Sequence, residues 1–203
     1  MQYFLEHAAT AVSAISGALA ARGKQVDLFG VIVLALVTAL GGGTLRDVVL
    51  DVRPVFWIAD TTYALTAVAS SLVVFALARF IQFSGKPLLL ADACGLALFT
   101  ILGVEKSLRH GVPPTIAVAM GVMTGVAGGM IRDVLTREIP LVFRREIYLY
   151  ATASFCGALL FVLLTPFVPS APLRISAIAV TLALRLAAIA WRIKLPEFHA
   201  KDH

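Results

Sequence analysis

The sequence predicts an all-α membrane protein with seven transmembrane helices, arranged as a 3+3 inverted repeat plus one C-terminal helix. Three observations support this fold class. Of the 203 residues, 60% are hydrophobic and 14% are charged, and the mean hydropathy is +0.92, whereas soluble domains are about 45–50% apolar and about 25% charged. Long runs of the chain carry no charged residue, and the second half repeats a motif of the first.

Four runs without Asp, Glu, Lys or Arg are long enough to cross a bilayer, because a transmembrane helix needs about 20 mainly apolar residues. These runs are Leu28–Leu45, Thr61–Ala78, Gly111–Ile131 and Ile147–Leu173. Three apolar segments that contain or border single charges complete the set: Phe4–Ala21, Leu88–Val104 and Ile175–Trp191. Short connections marked by Gly and Pro separate the seven predicted spans.

The chain repeats itself at an offset of 86 residues, where six of the thirteen positions in residues 42–54 are identical to their counterparts in residues 128–140. Three spans separate the copies, and because three is odd the second copy crosses the membrane in the opposite direction. We therefore expect a single transmembrane domain over residues 1–203, with repeat one at about 4–80, repeat two at about 88–165 and the extra helix at about 173–192.

Glycine runs lie near the ends of the second and fifth spans, as Gly41, Gly42 and Gly43 in the first copy and as Gly128 and Gly129 in the second. Each glycine lowers helix propensity by about 1 kcal/mol relative to Ala, so the runs predict a kink or a break. Broken helices in membranes line protected cavities and pathways. The same small residues also form small-xxx-small faces for helix packing, and both interpretations remain open.

An Arg-Asp pair follows the glycines in each copy, as Arg46-Asp47 and Arg132-Asp133. A charge deep in a bilayer costs at least about 2.5–3.5 kcal/mol and normally faces the bundle or water. Recurrence in both copies therefore favours a set of paired charges beside a pathway over simple interface anchors. Adjacent helical residues do not share a face, which predicts that each member of a pair binds another helix.

Two further basic residues interrupt apolar segments. Lys106 lies at the end of the fourth span, and two interpretations of it remain. It belongs to an interfacial charge cluster with Glu105, or its ammonium group is movable and binds backbone carbonyls that a helix break at Gly128 and Gly129 would free. Arg185, in the seventh span, is predicted to snorkel toward the nearby membrane interface.

Lys and Arg, which are enriched in cytoplasmic loops, divide unequally between the two sides of this topology. The N-terminus and the connections after spans two, four and six carry five of them, and the remaining connections with the C-terminal tail carry eleven. We therefore expect the N-terminus outside and the C-terminus in the cytoplasm.

Several functional classes lack support in the sequence. Phosphate-loop, zinc-protease and serine-hydrolase motifs are absent, so we expect no enzymatic activity and no cofactor. The four histidines are dispersed and the two cysteines form no CxxC pair, which predicts no metal site. The net charge of +5 comes from basic residues scattered singly, a pattern that argues against nucleic-acid binding.

The segments GGGTLRDVVL and GGMIRDVL, the latter followed by EIP, resemble the bacterial branch of the trimeric intracellular cation (TRIC) channel family. The resemblance implies a homotrimer in the bacterial inner membrane, with a monovalent-cation pore for potassium or sodium in each subunit. Gly41, Gly42, Gly43, Gly128 and Gly129 then match the pore-lining kinks of helices 2 and 5.

The charged residues expected beside the pore or in its gating are therefore Arg46, Asp47, Lys106, Arg132 and Asp133. Lys106 matches the basic residue of helix 4 that contacts the glycine region. Membrane lipid is a further expected partner. The eukaryotic members also bind a phosphoinositide, but the basic residues of this sequence form too little of such a site to carry that ligand over. The same duplicated domain is also similar to a bacterial small-solute carrier for glycine, which is the alternative function.

Overall fold

The computed structural model describes residues 2–78, 80, 86–144 and 149–191, and within them all regular structure is helical. This confirms the predicted all-α class. Seven long helices are labelled here in chain order: α1 (Gln2–Ala20), α2 (Leu28–Val49), α3 (Thr62–Leu77), α4 (Lys86–Arg109), α5 (Pro114–Leu135), α6 (Tyr150–Leu164) and α7 (Ser170–Trp191). A one-turn α-helix, Phe56–Ala59, follows α2, and a 3-10 turn, Leu141–Phe143, follows α5.

Four of these helices, α2, α4, α5 and α7, are long and apolar enough to cross a membrane. Two others, α3 and α6, are apolar but shorter, with 16 and 15 residues. The chain is therefore a helical membrane protein.

The uncharged run Ile147–Leu173 is not one helix. Within the described residues it contains α6, which ends at Leu164, a turn, and the start of α7 at Ser170. Pro166 and Pro169 lie in that turn, and proline cannot supply the backbone N–H that a continuing helix requires. The turn lies where prolines were expected to separate the sixth and seventh spans, so this predicted break is confirmed.

The second and fifth helices extend beyond the predicted spans, through the glycines and the Arg-Asp pairs, to Val49 and Leu135. Both are continuous α-helices, so the broken-helix alternative is wrong. A bend at these glycines stays a prediction.

Helices α2 and α5 cross in direct backbone contact. A Cβ atom on Gly42 would overlap the carbonyl oxygen of Thr124, and one on Gly128 would overlap that of Thr38. Thr38 with Gly42 and Thr124 with Gly128 occupy equivalent positions at the offset of 86, so each helix makes the same contact with the other. The packing interpretation of the glycines is confirmed at these two positions, because no larger residue fits.

The buried apolar side chains form separate clusters on the two sides of this crossing. One cluster joins α1, α2 and α3, with members such as Ala14, Ala35 and Ala67. A second joins α4, α5, α6 and α7, with Ile101 and Ala177 among its members. Helix α7 thus packs on the second half of the chain.

The close contact between α2 and α5 can be tested with two neighbouring glycines. Gly42→Ala should lower the free energy of unfolding by about 1–2 kcal/mol, since overpacking costs about 1–3 kcal/mol and offsets the gain of about 1 kcal/mol in helix propensity. Gly41→Ala gains the same propensity but meets only the terminal Cδ1 of Ile131, at 3.0 Å, and should be neutral or stabilising. Thermal unfolding in detergent measures both, and equal stability of the two variants would contradict the crossing.

Candidate functional site: a polar path between two buried charge clusters

A buried charge cluster surrounds Asp47 near the C-terminal end of α2. Its carboxylate is fully buried and accepts hydrogen bonds from Arg46 Nε at 2.8 Å and from the backbone N–H of Phe56 at 2.9 Å. Lys106 of α4 donates to the same carboxylate, with Nζ 2.9 Å from Oδ1. One carboxylate therefore faces two cations in the interior of the protein.

The equivalent cluster near the end of α5 is built in the same way. Asp133 accepts from Arg132 Nε at 2.8 Å and from the backbone N–H of Leu141 at 2.8 Å. Arg132 is fully buried and also donates through Nη1 to Asp92 Oδ1 at 2.8 Å and to Ser16 Oγ at 2.5 Å. This second cluster joins α5 to α4 and α1.

Each arginine thus binds the aspartate that follows it, so the prediction that the two would not pair with each other was wrong. Pairing with another helix is confirmed for Asp47, which binds Lys106, and for Arg132, which binds Asp92. The Cβ atoms of the arginine and the aspartate point in different directions, but the arginine side chain is long enough to reach the carboxylate of the following aspartate. Each aspartate also accepts a hydrogen bond from a backbone N–H in the segment that follows the helix, which holds that segment against the helix end. In both copies a residue in the left-handed region follows, Asp51 at φ 51° and Arg137 at φ 57°.

The structure also corrects the roles of the two isolated basic residues. Lys106 contacts Asp47 and not the carbonyls near Gly128 and Gly129, because those glycines lie within an intact helix. Arg185 is fully buried and stacks 4.7 Å from the ring centre of Tyr150, so it does not snorkel to the interface. A cation–π contact of this kind offsets part of the cost of burying the charge.

Glu105 is a buried anchor and not an exposed member of an interfacial cluster. It accepts two hydrogen bonds from Arg174, at 2.7 Å and 2.5 Å, and one from Arg109 at 2.5 Å. The bidentate pair ties α7 to α4. Sequence reasoning could not predict it because Glu105 and Arg174 lie 69 positions apart.

The remaining predicted site glycines lie close to the same clusters. A Cβ on Gly43 would be 2.6 Å from the ring of Phe56, and one on Gly129 would be 3.1 Å from the Tyr150 hydroxyl and 3.2 Å from Asp92 Oδ1. Gly43 thus lets the Phe56 ring pack on α2, and Gly129 leaves room for Asp92 and Tyr150.

Three cavities follow one another along α1. The first, here called the Glu6 cavity, has a volume of about 200 Å³ and is lined by Glu6, Arg46 and Lys106 among others. The second, the constriction, has a volume of only about 10 Å³ and lies where α2 and α5 cross. The third, the Asp133 cavity, has a volume of about 480 Å³. The cluster of Asp47 therefore borders one end and that of Asp133 the other.

Two ion pairs connect neighbouring loops at the opening of the Asp133 cavity. Glu138 accepts from Lys24 at 2.6 Å and from Arg144 at 3.0 Å. The hydrogen bond from Lys24, reinforced by the charges of both cations, lowers the pKa of Glu138. These ion pairs link the loop after α1 to the chain that follows α5.

One face of α1 lines the first two cavities, and sequence reasoning missed it. The polar residues of this face follow spacings of 4, 4, 3 and 3, which place them in one row along a helix: Gln2, Glu6, Thr10, Ser13 and Ser16. Such a stripe on an otherwise apolar span is visible in the sequence. It was missed because only charges and glycines were considered.

Oxygen atoms of hydroxyls and carboxylates line all three cavities. Alkali cations accept such oxygens as ligands. Among the described residues no three His, Cys, Asp or Glu side chains converge as a metal site.

Comparison with known proteins shows which family shares this architecture. The family model described as "Glycine transporter" matches residues 3–79 and 89–166, one copy of the repeat each. The inner membrane protein YadS of Escherichia coli K12, a UPF0126 protein, is 47% identical over 199 residues, which cover 97% of this chain and 95% of YadS. A UPF0126 membrane protein of Vibrio cholerae is 44% identical over 198 residues, covering 97% and 82% of the two chains.

Solved structures share the whole fold. The TRIC trimeric intracellular cation channel orthologue from Rhodobacter sphaeroides superposes with a TM-score of 0.89 at 37% identity, covering 95% of this chain and 98% of that one. A prokaryotic TRIC channel crystallised in 0.5 M KCl gives a TM-score of 0.88 at 30% identity, covering 96% and 98%. The chain is thus a duplicated helical membrane protein. It belongs to the bacterial branch of the TRIC family.

The Asp47 cluster leads to a test of stability. Asp47→Asn should lower the free energy of unfolding by about 3–5 kcal/mol, because breaking a buried ion pair leaves an uncompensated charge. Asp51→Asn is the matched control, since its side chain is 84% exposed and surface changes stay within about 0.5 kcal/mol. Thermal unfolding in detergent compares them, and a similar small loss in both would show that the buried network contributes little.

Proposed function

We propose that the chain is a monovalent-cation channel, permeable to potassium, with one path inside each subunit of a homotrimer. The observation that carries this proposal is the succession of two end cavities and a constriction along one polar face of α1. The solved relatives, which are named as TRIC cation channels, support it. No chemical step is required, so the proposal includes no enzymatic activity and no cofactor.

The dimensions of the path fit a membrane. Gln2 and Ala20, at the two ends of α1, line the Glu6 cavity and the Asp133 cavity. A helix rises 1.5 Å per residue, so these positions are about 27 Å apart, close to the hydrocarbon thickness of about 30 Å. The path therefore extends across the bilayer, with its narrowest point near the middle.

The glycines determine the width of that narrow point. Gly42 and Gly128 bring the α2 and α5 backbones together, and both line the constriction with Gly129. Gly41 and Gly43 lie beside this contact, against Ile131 and Phe56. A bend of either helix at these glycines would widen the constriction. Conduction in this proposal requires such widening, because a volume of about 10 Å³ holds no more than one water-sized particle.

The charges at the two ends favour cations without sharp discrimination among them. Asp47 and Asp133 attract cations, whereas the paired Arg46 and Arg132 reduce that attraction. The path also lacks a four-fold ring of carbonyls of the kind that selects potassium. We therefore propose weak selectivity between potassium and sodium.

We propose that Lys106 controls the entry of cations at the Glu6 cavity, because its side chain lines this cavity and its ammonium group binds the carboxylate of Asp47. Lys106→Met should raise the open probability or the conductance, because it frees a carboxylate for entering cations. Arg53→Gln, at a position 85% exposed, is the control. Single-channel records that are identical for Lys106→Met and the parent would remove Lys106 from the mechanism.

The proposal places the chain in the bacterial inner membrane, as the naming of YadS supports. We propose a 3+3 inverted arrangement of α1–α3 and α4–α6, followed by α7. Large side chains exposed on the helices, such as Phe29 and Leu163, would contact lipid. Whether one lipid binds specifically stays a prediction.

Flux into liposomes tests the function. Purified protein should carry potassium at rates far above carrier turnover, and the reversal potential under a KCl gradient should lie near the potassium value. A reversal potential at the chloride value would contradict a cation channel. Saturable glycine exchange without ion current would instead establish the alternative, a small-solute carrier.

Orientation is tested by cysteine labelling. In a variant with Cys94 and Cys156 replaced by Ala, a cysteine at Gln2 should react with an impermeant thiol reagent from outside and one at Lys201 only from the cytoplasm. The second site lies outside the described residues. Labelling of both sites from the same side would contradict the odd number of spans.

A further inference from the structure

His7 lies at the end of α1 that borders the Glu6 cavity, directly after Glu6. Both of its ring nitrogens have hydrogen-bond partners. Nδ1 lies 3.0 Å from the backbone carbonyl oxygen of Tyr3, and Nε2 lies 3.0 Å from the hydroxyl oxygen of Thr62 at the start of α3. The imidazole therefore connects α1 to α3.

The hydrogen-bond partners of His7 determine where its protons lie. A carbonyl oxygen only accepts, so Nδ1 carries a proton. Thr62 donates its one hydroxyl proton to Asp60 Oδ1 at 2.6 Å, because an ionised carboxylate only accepts. The Thr62 oxygen is left to accept from Nε2, and its second lone pair accepts from the Tyr3 hydroxyl at 3.1 Å. Both nitrogens of His7 are therefore donors, which is the pattern of the charged imidazolium.

The surroundings of the His7 ring suit a positive charge. The ring lies between two tyrosines, with its centre 4.2 Å from that of the Tyr3 ring and 4.4 Å from that of the Tyr63 ring. Its plane is inclined by 28° to that of Tyr63, and a cation over the face of a tyrosine ring is attracted by the ring. Two rings, and one carboxylate across the Thr62 hydroxyl, thus face the imidazolium.

Tyr63 connects His7 to the path. Its hydroxyl donates to Glu6 Oε2, and the other carboxylate oxygen of Glu6 accepts from Gln2 Nε2 at 2.8 Å. Glu6 lines the cavity that bears its name. The ring on which His7 stacks is therefore the ring whose hydroxyl holds the carboxylate at this end of the path.

Other titratable and charged groups surround this site. Those beside His7 are Tyr3 and Glu6 of α1, Asp60 just before α3, and Tyr63 of α3. Those across the Glu6 cavity are Arg46 of α2 and Lys106, Arg109 and His110 of α4. Histidine is the side chain that normally changes charge between about pH 5 and about pH 8. In that range the two histidines, His7 and His110, are the candidates for a response to pH.

We propose that His7 is a proton-binding site that regulates the entry of cations at the Glu6 cavity. This regulation rests on the proposed channel function and acts from the side of the membrane on which the N-terminus lies. When Nε2 gives its proton to water, Nε2 and the Thr62 oxygen face each other with lone pairs. Either the Thr62 hydroxyl must then leave Asp60 or the ring must move away from Thr62.

Both changes act in the same direction on the path. Each weakens the connection between α1 and α3, and the loss of the imidazolium charge removes a repulsion for cations that approach Glu6. The conductance for potassium should therefore rise as the pH rises and fall as His7 takes up a proton.

Potassium current across planar bilayers tests this regulation when the pH is varied from about 5 to about 8 on the N-terminal side alone. The parent should conduct several-fold better at the higher pH. His7→Gln carries no charge and should lose the dependence on pH, whereas His7→Arg should show the low conductance throughout. His110→Gln is the matched control and should keep the response, because no carboxylate of a described residue is hydrogen-bonded to the His110 ring, whose Nδ1 lies 2.8 Å from the Lys106 carbonyl oxygen.

Thr62→Val tests the link to Asp60. It keeps the shape of the side chain but removes the acceptor of Nε2, so the midpoint of the pH response should move to lower pH. A purely structural role of Thr62 would change the stability of the protein and leave this midpoint where it is in the parent.

Nitrogen NMR of protein labelled with nitrogen-15 histidine reports on the ring without any ion current. The signals of His7 are those that His7→Gln lacks. Near pH 5 both ring nitrogens should be protonated, and toward pH 8 Nε2 should lose its proton while Nδ1 keeps the one that it donates to the Tyr3 carbonyl.

The outcomes separate the regulation from the channel. A parent current that does not change with pH, or a pH dependence that survives in His7→Gln, overturns the proposed site and leaves the channel. An Nε2 without a proton over the whole range overturns the site as well. Titration of Nε2 in a parent that carries no current supports the proton site and overturns the channel. Should His7→Gln fail to fold, the Thr62→Val midpoint and the NMR titration of the parent decide the matter.

Discussion

The reciprocal backbone contact of α2 and α5 is the constraint on which the rest of the structure depends. Each helix presents a glycine to a threonine carbonyl of the other, so the two backbones meet without intervening side chains. The contact narrows the polar path to its constriction and separates the two end cavities. Because lipid offers no hydrophobic driving force between helices, close packing of small residues is a main source of helix association in membranes. The same glycines therefore hold the two helices together and, in the proposed channel, also limit the width of the path.

The charge clusters stabilise polar residues at the ends of buried helices. In both copies an Arg-Asp pair is neutralised locally, and the aspartate also receives a backbone N–H from the chain that follows. The copies then diverge. The first recruits Lys106 at an end cavity, and the second recruits Asp92 at the constriction. The two copies of the repeat have thus acquired chemically distinct surroundings.

Much of this was predictable from the sequence. Composition and uncharged runs predicted the all-α membrane class, and the repeat predicted that Gly42 and Gly128 occupy equivalent positions. The prolines after Leu164 likewise marked the end of α6. Two features were not predictable by the same reasoning. The Arg-Asp pairing depends on the reach of a side chain. The burial of Arg185 beside Tyr150 depends on packing between distant segments. The polar stripe of α1 was present in the sequence and could have been found by its helical spacing.

If ions pass along the polar face of α1, silver ions should block the potassium current through cysteines placed on that face. Silver(I) is similar in size to potassium and binds cysteine thiolate, so it reports on the path itself. With Cys94 and Cys156 replaced by Ala, Ser13→Cys and Ser16→Cys should each be blocked by silver. Ile15→Cys, which faces the apolar cluster of the first repeat, should not. Current that survives silver in both serine variants, or equal block at Ile15→Cys, would contradict a path along this face.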